Sequence, residues 1–146
     1  MENCLNTGEI KGLGSSCYWA GGIIGHANDF VLINNCTNTA PVSAQYGAGG
    51  IAGAQEGAAA CLRFAKNLGR VTANTGAAGG IVGISSGEST VENCYGDGSV
   101  ASSDGYAGGI AGENYGRIVC CTGIGETRLA VGFSGLPGGG TAGSAL

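Results

Sequence analysis

Seven cysteines, one histidine and a glycine-rich phrase written four times are the parts of this chain best suited to chemistry. The phrase reads G-G-I-I-G at 21–25, G-G-I-A-G at 49–53, G-G-I-V-G at 79–83 and G-G-I-A-G at 108–112. Glycine loops can cradle phosphate. A dinucleotide site, however, needs G-x-G-x-x-G between a strand and a helix with an acid about 20 residues on, and a nucleotide loop needs G-x-x-x-x-G-K-[ST]. Neither pattern occurs. A binding loop is needed once, whereas a phrase repeated at even spacing builds something.

The cysteines are Cys4, Cys17, Cys36, Cys61, Cys94, Cys120 and Cys121. A zinc site wants four ligands at short spacings such as C-x2-C, and no such pair of pairs exists. His26 stands alone in H-A-N-D. Ser15, Ser16 and Asp29 lie near it in sequence, but no G-x-S-x-G elbow accompanies them, and His26 reads as a surface turn residue. Asp97 with Asp104, or Glu88 with Glu92, could form the paired carboxylates of a glycosidase, which stand about 5–10 Å apart in a groove. No groove is marked, and aromatic residues to hold a sugar are few. Arg63, Lys66 and Arg70 are the nearest approach to a basic cluster and read as solvated surface. With a net charge of −4, nucleic acid is not an expected partner. The reading is therefore a chain with no catalytic, cofactor-binding or metal residue, and not an enzyme.

What would position these residues is a repeat. Anchored on Gly21, Gly49, Gly79 and Gly108, the phrase advances by 28, 30 and 29 residues. A weaker G-G-G follows at 138–140. A second phrase keeps the same period: N-C-L-N-T-G-E-I at 3–10, N-C-T-N-T-A-P-V at 35–42, F-A-K-N-L-G-R-V at 64–71, N-C-Y-G-D-G-S-V at 93–100 and C-C-T-G-I-G-E-T at 120–127. Two markers in one register are the signature of a solenoid. Three apolar landmarks recur per repeat: Ile23, Ile51, Ile81 and Ile110; Ile33, Leu62, Val91 and Ile118; Ile10, Val42, Val71 and Val100. They suggest three short strands per coil, each pointing its landmark inward and stacking in parallel. Residues 57–67, with four alanines, are the best helical candidate. The expected fold is an all-β parallel β-solenoid of about 29 residues per coil and four to five coils. It is a single domain over 1–146, with repeats over 3–127 and a degenerate coil or cap at 128–146.

Composition agrees. Of 146 residues, 32 are glycine and two proline, against a usual glycine share of about 7%. There is no G-x-y period, and a hydrophobic fraction of 43% opposes disorder. Glycine suits corners by permitting positive φ or by making room where coils press close. Asn3, Asn35 and Asn93 suit left-handed corners. Aligned on the second phrase, Cys4, Cys36, Ala65, Cys94 and Cys121 form a ladder. The expectation is mostly reduced, buried thiols, since alanine fills the same niche. Bridges between Cys4 and Cys36 or Cys94 and Cys121 are the competing reading. Cys120 and Cys121 should alternate out and in, and Cys17 and Cys61 lie off the ladder. Ice binding would want one threonine row. Thr7 and Thr39 share a repeat position, but Leu68, Asp97 and Ile124 follow there.

The phrases G-I-I-G, G-I-A-G, G-I-V-G and G-I-A-G resemble the GLUG motif, and the N-C-x-N-x-G-x-V phrase resembles its surroundings, over about 3–127. Ala65 and the stretch 129–146 depart from the pattern. The resemblance implies non-catalytic β-solenoid repeats of bacterial surface or secreted proteins, such as large adhesins and proteins similar to immunoglobulin-cleaving metallopeptidases. It places the chain outside the cell, although no signal peptide or run of about 20 apolar residues is present. The opening inside a repeat phrase suggests a segment of a longer protein or a processed form; a cytosolic protein is the alternative. The expected role is structural or adhesive, with flanking repeats or other copies of the chain as partners. A filament joined end to end is the second reading, with Leu5, Ile10 and Leu13 at one end and Leu129, Val131 and Phe133 at the other. A fragment of a secreted enzyme is the third.

Overall fold

The structure, a computed structural model, describes residues 1–129 and 142–145. The chain winds as an all-β parallel solenoid of five strands per coil. The first coil holds β1 (Leu5–Asn6), β2 (Ile10–Lys11), β3 (Trp19–Gly21), β4 (Ile24–Ala27) and β5 (Leu32–Asn34). The second holds β6 (Thr37–Asn38), β7 (Val42–Ala44), β8 (Gly47–Gly49), β9 (Ala52–Gln55) and β10 (Cys61–Arg63). The third holds β11 (Lys66–Asn67), β12 (Val71–Ala73), β13 (Ala77–Gly79), β14 (Val82–Ser85) and β15 (Thr90–Glu92). The fourth holds β16 (Tyr95–Gly96), β17 (Val100–Ser102), β18 (Tyr106–Gly108), β19 (Ala111–Asn114) and β20 (Arg117–Val119). A fifth begins with β21 (Thr122–Gly123) and β22 (Thr127–Leu129), and β23 (Ala142–Ala145) pairs with β19.

Equivalent strands stack into five parallel sheets. Register follows the landmarks: Ile33 faces Leu62, Leu62 faces Val91, and Val91 faces Ile118. Val42 likewise faces Val71, which faces Val100. Apart from the half-buried Ile118, these side chains are sealed in two cores. One joins Ile33, Leu62 and Val91 to Ile51, Ile81, Ile110, Cys36, Ala65 and Cys94; the other joins the valines to Ala44, Ala48, Ala73, Ala78 and Ala107. Full burial of each large landmark contributes about 1.5–3 kcal/mol, and only stacking supplies it, because one coil cannot cover its own residues.

Five strands replace the expected three because the three landmarks do not map one to a strand. Ile51 lies between β8 and β9, so the glycine phrase is itself a bend between two strands. Two of the strands before that bend, β8 (G-A-G) and β13 (A-A-G), carry only small residues, which leave no apolar signal. The helix expected at 57–67 is also absent: β10 and β11 occupy its second half. Cys61–Arg63 is claimed by pairing on both sides, and Phe64 has φ of 52°. Alanine's helical preference is a few tenths to 1 kcal/mol per residue and yields to tertiary pairing.

The left-handed corners fall where the second phrase begins. Asn3, Asn35, Phe64, Asn93 and Cys120 have φ between 51° and 54°, all one residue before the cysteine ladder. Asparagine tolerates this conformation and phenylalanine does not suit it. The G-G-I-x-G glycines work differently. None of those described has positive φ; at Gly21, Gly49, Gly53 and Gly79, for example, a neighbouring backbone fills the place of a side chain.

Candidate functional site

Each glycine phrase forms an arch with a buried tip and an open mouth. At the tip, Ile51, Ile81 and Ile110 are fully buried. A Cβ on Gly49 would collide with the Ala52 carbonyl, and one on Gly50 with Asn67. The tip thus rests on a column of asparagines from the second phrase. Asn6 Nδ2 donates to Asn38 Oδ1 at 2.8 Å, and Asn38 Nδ2 donates to Asn67 Oδ1 at 2.8 Å. Asn38 also donates to the Ala40 carbonyl at 2.8 Å and accepts from the Ala40 amide at 3.3 Å. Asn67 repeats this with Gly69. Asn38 and Asn67 are fully buried, so these bonds satisfy groups that would otherwise be costly. The column stops at Gly96, whose missing side chain leaves space taken by the Gly109 carbonyl, 2.5 Å from where a Cβ would be. Sequence reasoning passed over Asn6, Asn38 and Asn67, although their fixed place in N-C-x-N-x-G was visible.

The arch mouths gather side chains that the sequence scattered. Tyr18 and Trp19 stand where β3 begins, Tyr46 before β8, Tyr106 at the start of β18 and Tyr115 after β19. That is four of the five tyrosines and the single tryptophan. Trp19 packs on His26 with centroids 4.7 Å apart; Tyr18 lies 5.7 Å from Trp19 and 6.4 Å from Tyr46. The Trp19 ring covers Gly47, where a Cβ would lie 2.5 Å from Cδ1. Tyr18, Tyr46 and Tyr115 are 59%, 39% and 48% exposed, enough for each to offer an open ring. His26 is therefore a strand residue of β4, not the turn residue expected. Its Nε2 lies 3.4 Å from Glu56 Oε2, close enough for charge attraction but without hydrogen-bond alignment, and Trp19 Nε1 is buried without a partner. Tyr115 donates to Glu113 at 3.2 Å, and that carboxylate pushes the phenol's pKa up. The arch segments 17–29, 45–57, 75–88 and 104–116 contain Asp29, Glu56, Glu88, Asp104 and Glu113 but no lysine or arginine. One edge is thus aromatic and acidic.

The other candidates are held apart. Asp97 follows β16 and Asp104 follows β17, with strand β17 between them; Asp97 accepts from Tyr95 at 3.4 Å. Glu92 is on β15, and Glu88 precedes it in an exposed turn. The basic cluster is divided: Arg63 donates to Asn34 at 3.3 Å, Lys66 lies over the Tyr95 ring at 5.6 Å, and Arg70 borders a shallow pocket of about 220 Å³ with Ser99, Glu126 and Arg128. Arg128 in that pocket is engaged by Glu126 at 2.7 Å. Among the described residues no threonine row forms on the sheet that holds Thr37: Leu5, Thr37, Lys66, Tyr95 and Thr122 follow one another at one repeat position.

The cysteine ladder assembles as aligned. Cys36, Ala65 and Cys94 are buried in one core with Cys4 and Cys121 packed against it, and every cysteine is a free thiol. Cys120 is exposed beside half-buried Cys121. Burial pushes up the Cys61 and Cys36 thiols. Among the described residues no three His, Cys, Asp or Glu side chains are placed to hold a metal, and no helix is long and apolar enough to cross a membrane. No family model, curated protein or solved structure matches the chain.

Proposed function

We propose that the protein is a non-enzymatic structural or adhesive repeat module of a bacterial surface or secreted protein, as its GLUG-like phrases imply. The observation that carries this reading is the edge of arch mouths. Exposed rings and carboxylates are collected there on a rigid stack whose cores are built from other residues. Large aromatic surface with few rotatable bonds makes an economical contact face. Trp19 sits within it as the sole tryptophan, so its emission reports occupancy. Titration with soluble oligosaccharides and with short basic peptides should shift that emission saturably for one of the two, and Tyr18→Ala should abolish the shift. An emission indifferent to both would remove the adhesive half of the reading.

A second reading, end-to-end assembly, has its own support. Ile10, Ile23 and Ile24 in the first coil are half-exposed, whereas Val42, Ile51 and Ala52 above them are buried. Leu5 and Leu13 are 65% and 82% exposed. Another coil, from the same chain or a second copy, would cover this face, and parallel edge strands invite such pairing. Ile10 and Leu5 thus lie at the end expected for the contact. At the other end Leu129 packs on the second core, and Val131, Phe133, the G-G-G phrase and most of the expected cap lie outside the described residues. Light scattering over a concentration series decides between growing particles and a constant 14.1 kDa monomer.

A further inference from the structure

The cysteine ladder ends, among the described residues, in two sulfurs placed to react with each other. Cys94 and Cys121 hold the same position in successive coils, between the registered pairs Glu92–Val119 and Tyr95–Thr122. The Cys94 backbone N–H donates to Cys121 Sγ at 3.4 Å. Neighbouring parallel strands run about 4.8 Å apart, within the 4.4–6.8 Å that a disulfide spans between Cα atoms. The present thiol contacts are weak ones to carbonyls: Cys94 to Glu92 at 3.2 Å and Leu62 at 3.7 Å, Cys121 to Val119 at 3.3 Å and Val91 at 3.5 Å. Giving them up for a covalent bond sacrifices little.

Exposure divides the roles. Cys94 is 2% exposed and beyond the reach of a reagent. Cys121 is half-buried and adjoins the exposed Cys120. We propose that Cys121 and Cys94 form a thiol–disulfide exchange site that accepts a small-molecule disulfide and closes as a bridge between the fourth and fifth coils. The Cys121 thiolate attacks one sulfur of R–S–S–R, the S–S bond breaks, and RS⁻ leaves to take up a proton. Cys94 then loses its proton to solvent and attacks Cys121 Sγ, expelling the second RS⁻. Two protein thiols are oxidised to one disulfide, and R–S–S–R is reduced to two R–SH.

The electrostatics support this order. The neighbouring Cys94 thiol and backbone N–H hold the Cys121 pKa down to about 7, while the nearness of Cys121 and burial push Cys94 up. Cys121 is thus the thiolate that starts exchange, and Cys94 stays protonated until the mixed disulfide removes that charge.

Oxidised glutathione and peptide mass mapping test the proposal. At pH 7.5 the folded chain should yield a Cys94–Cys121 linkage, with Cys121 reacting about tenfold or more faster than Cys61. Cys94→Ala, a replacement that Ala65 already makes one coil below, should accumulate glutathione on Cys121. Cys121→Ala should leave Cys94 unmodified, with circular dichroism confirming that each variant keeps its strands. The proposal is overturned by adducts confined to Cys17, Cys61 or Cys120, by a folded Cys94→Ala that leaves Cys121 free, or by a linkage that forms only in denaturant.

Discussion

Gly22 lies so close to Asn38 that a Cβ on the glycine would stand 2.6 Å from the asparagine Cγ. The next coil repeats the relation between Gly50 and Asn67. The two phrases of the repeat therefore keep one period for a mechanical reason: the second glycine of one coil makes room for the buried asparagine of the next. This also tells why the phrase is not a phosphate loop. Its amides are turned into the stack; that of Gly50, for example, donates to the Gly79 carbonyl at 3.2 Å.

Stacking predicts opposite outcomes for two glycines at one repeat position. A Cβ on Gly53 would lie 2.6 Å from the Gly25 carbonyl and 2.7 Å from the Ala20 amide, whereas one on Gly25 meets only Trp19 O at 3.4 Å. Gly53→Ala should destabilise by about 2–3 kcal/mol. Gly25→Ala should lie within about 1 kcal/mol of the parent, gaining from a stiffer unfolded chain. Urea midpoints at matched slope measure both, and equal losses would contradict the coil packing.

The asparagine column should be intolerant of change. Asn38→Ala strips partners from Asn6, Ala40 and Asn67 at once and should cost about 3 kcal/mol or more. Asn38→Asp keeps the shape but turns an acceptor toward the Ala40 carbonyl and Asn67 Oδ1, and buries a charge. It should be the worse of the two at pH 7 and recover as pH falls and the carboxyl takes up a proton. Chemical denaturation at pH 7 and pH 4.5 checks the order.

Phe64 is the misfit of the left-handed corners, at φ of 52° and 55% exposed. Phe64→Asn should stabilise by about 1 kcal/mol. It would also place an amide between those of Asn35 and Asn93, in the manner of Asn35 Nδ2 donating to Asn3 Oδ1 at 2.7 Å. Thermal melts should show a rise of several degrees; a fall would mean that the exposed ring contributes packing of its own.

Cys121 should alkylate with iodoacetamide along a pH profile centred near 7, and Cys94→Ala should move that midpoint upward, since the lowering comes first from the Cys94 thiol. The folded chain sheds this proton before the unfolded thiol does at about 9, so stability should rise as pH climbs from 7 toward 9. Unfolding midpoints across that window, against Cys121→Ala, read the sign.

Period, strand character and the identity of the core were legible because they depend on residue type at fixed spacing. Ile51, Leu62 and Val71 announce burial by apolarity, and Asn3, Asn35 and Asn93 announce left-handed corners by their tolerance of positive φ. The cysteine ladder followed from alignment alone, with Ala65 as its own control. What only the tertiary structure decided was which neighbours meet between coils. Strands such as β8, made of glycine and alanine, carry no local signal, because their small residues are selected by the backbone pressing on them. Tyr18 and Tyr46, 28 residues apart in the chain, become neighbours only because winding converts a period in sequence into a few ångströms of height. His26 on β4 and Glu56 just after β9 join them from segments whose own letters say nothing of it.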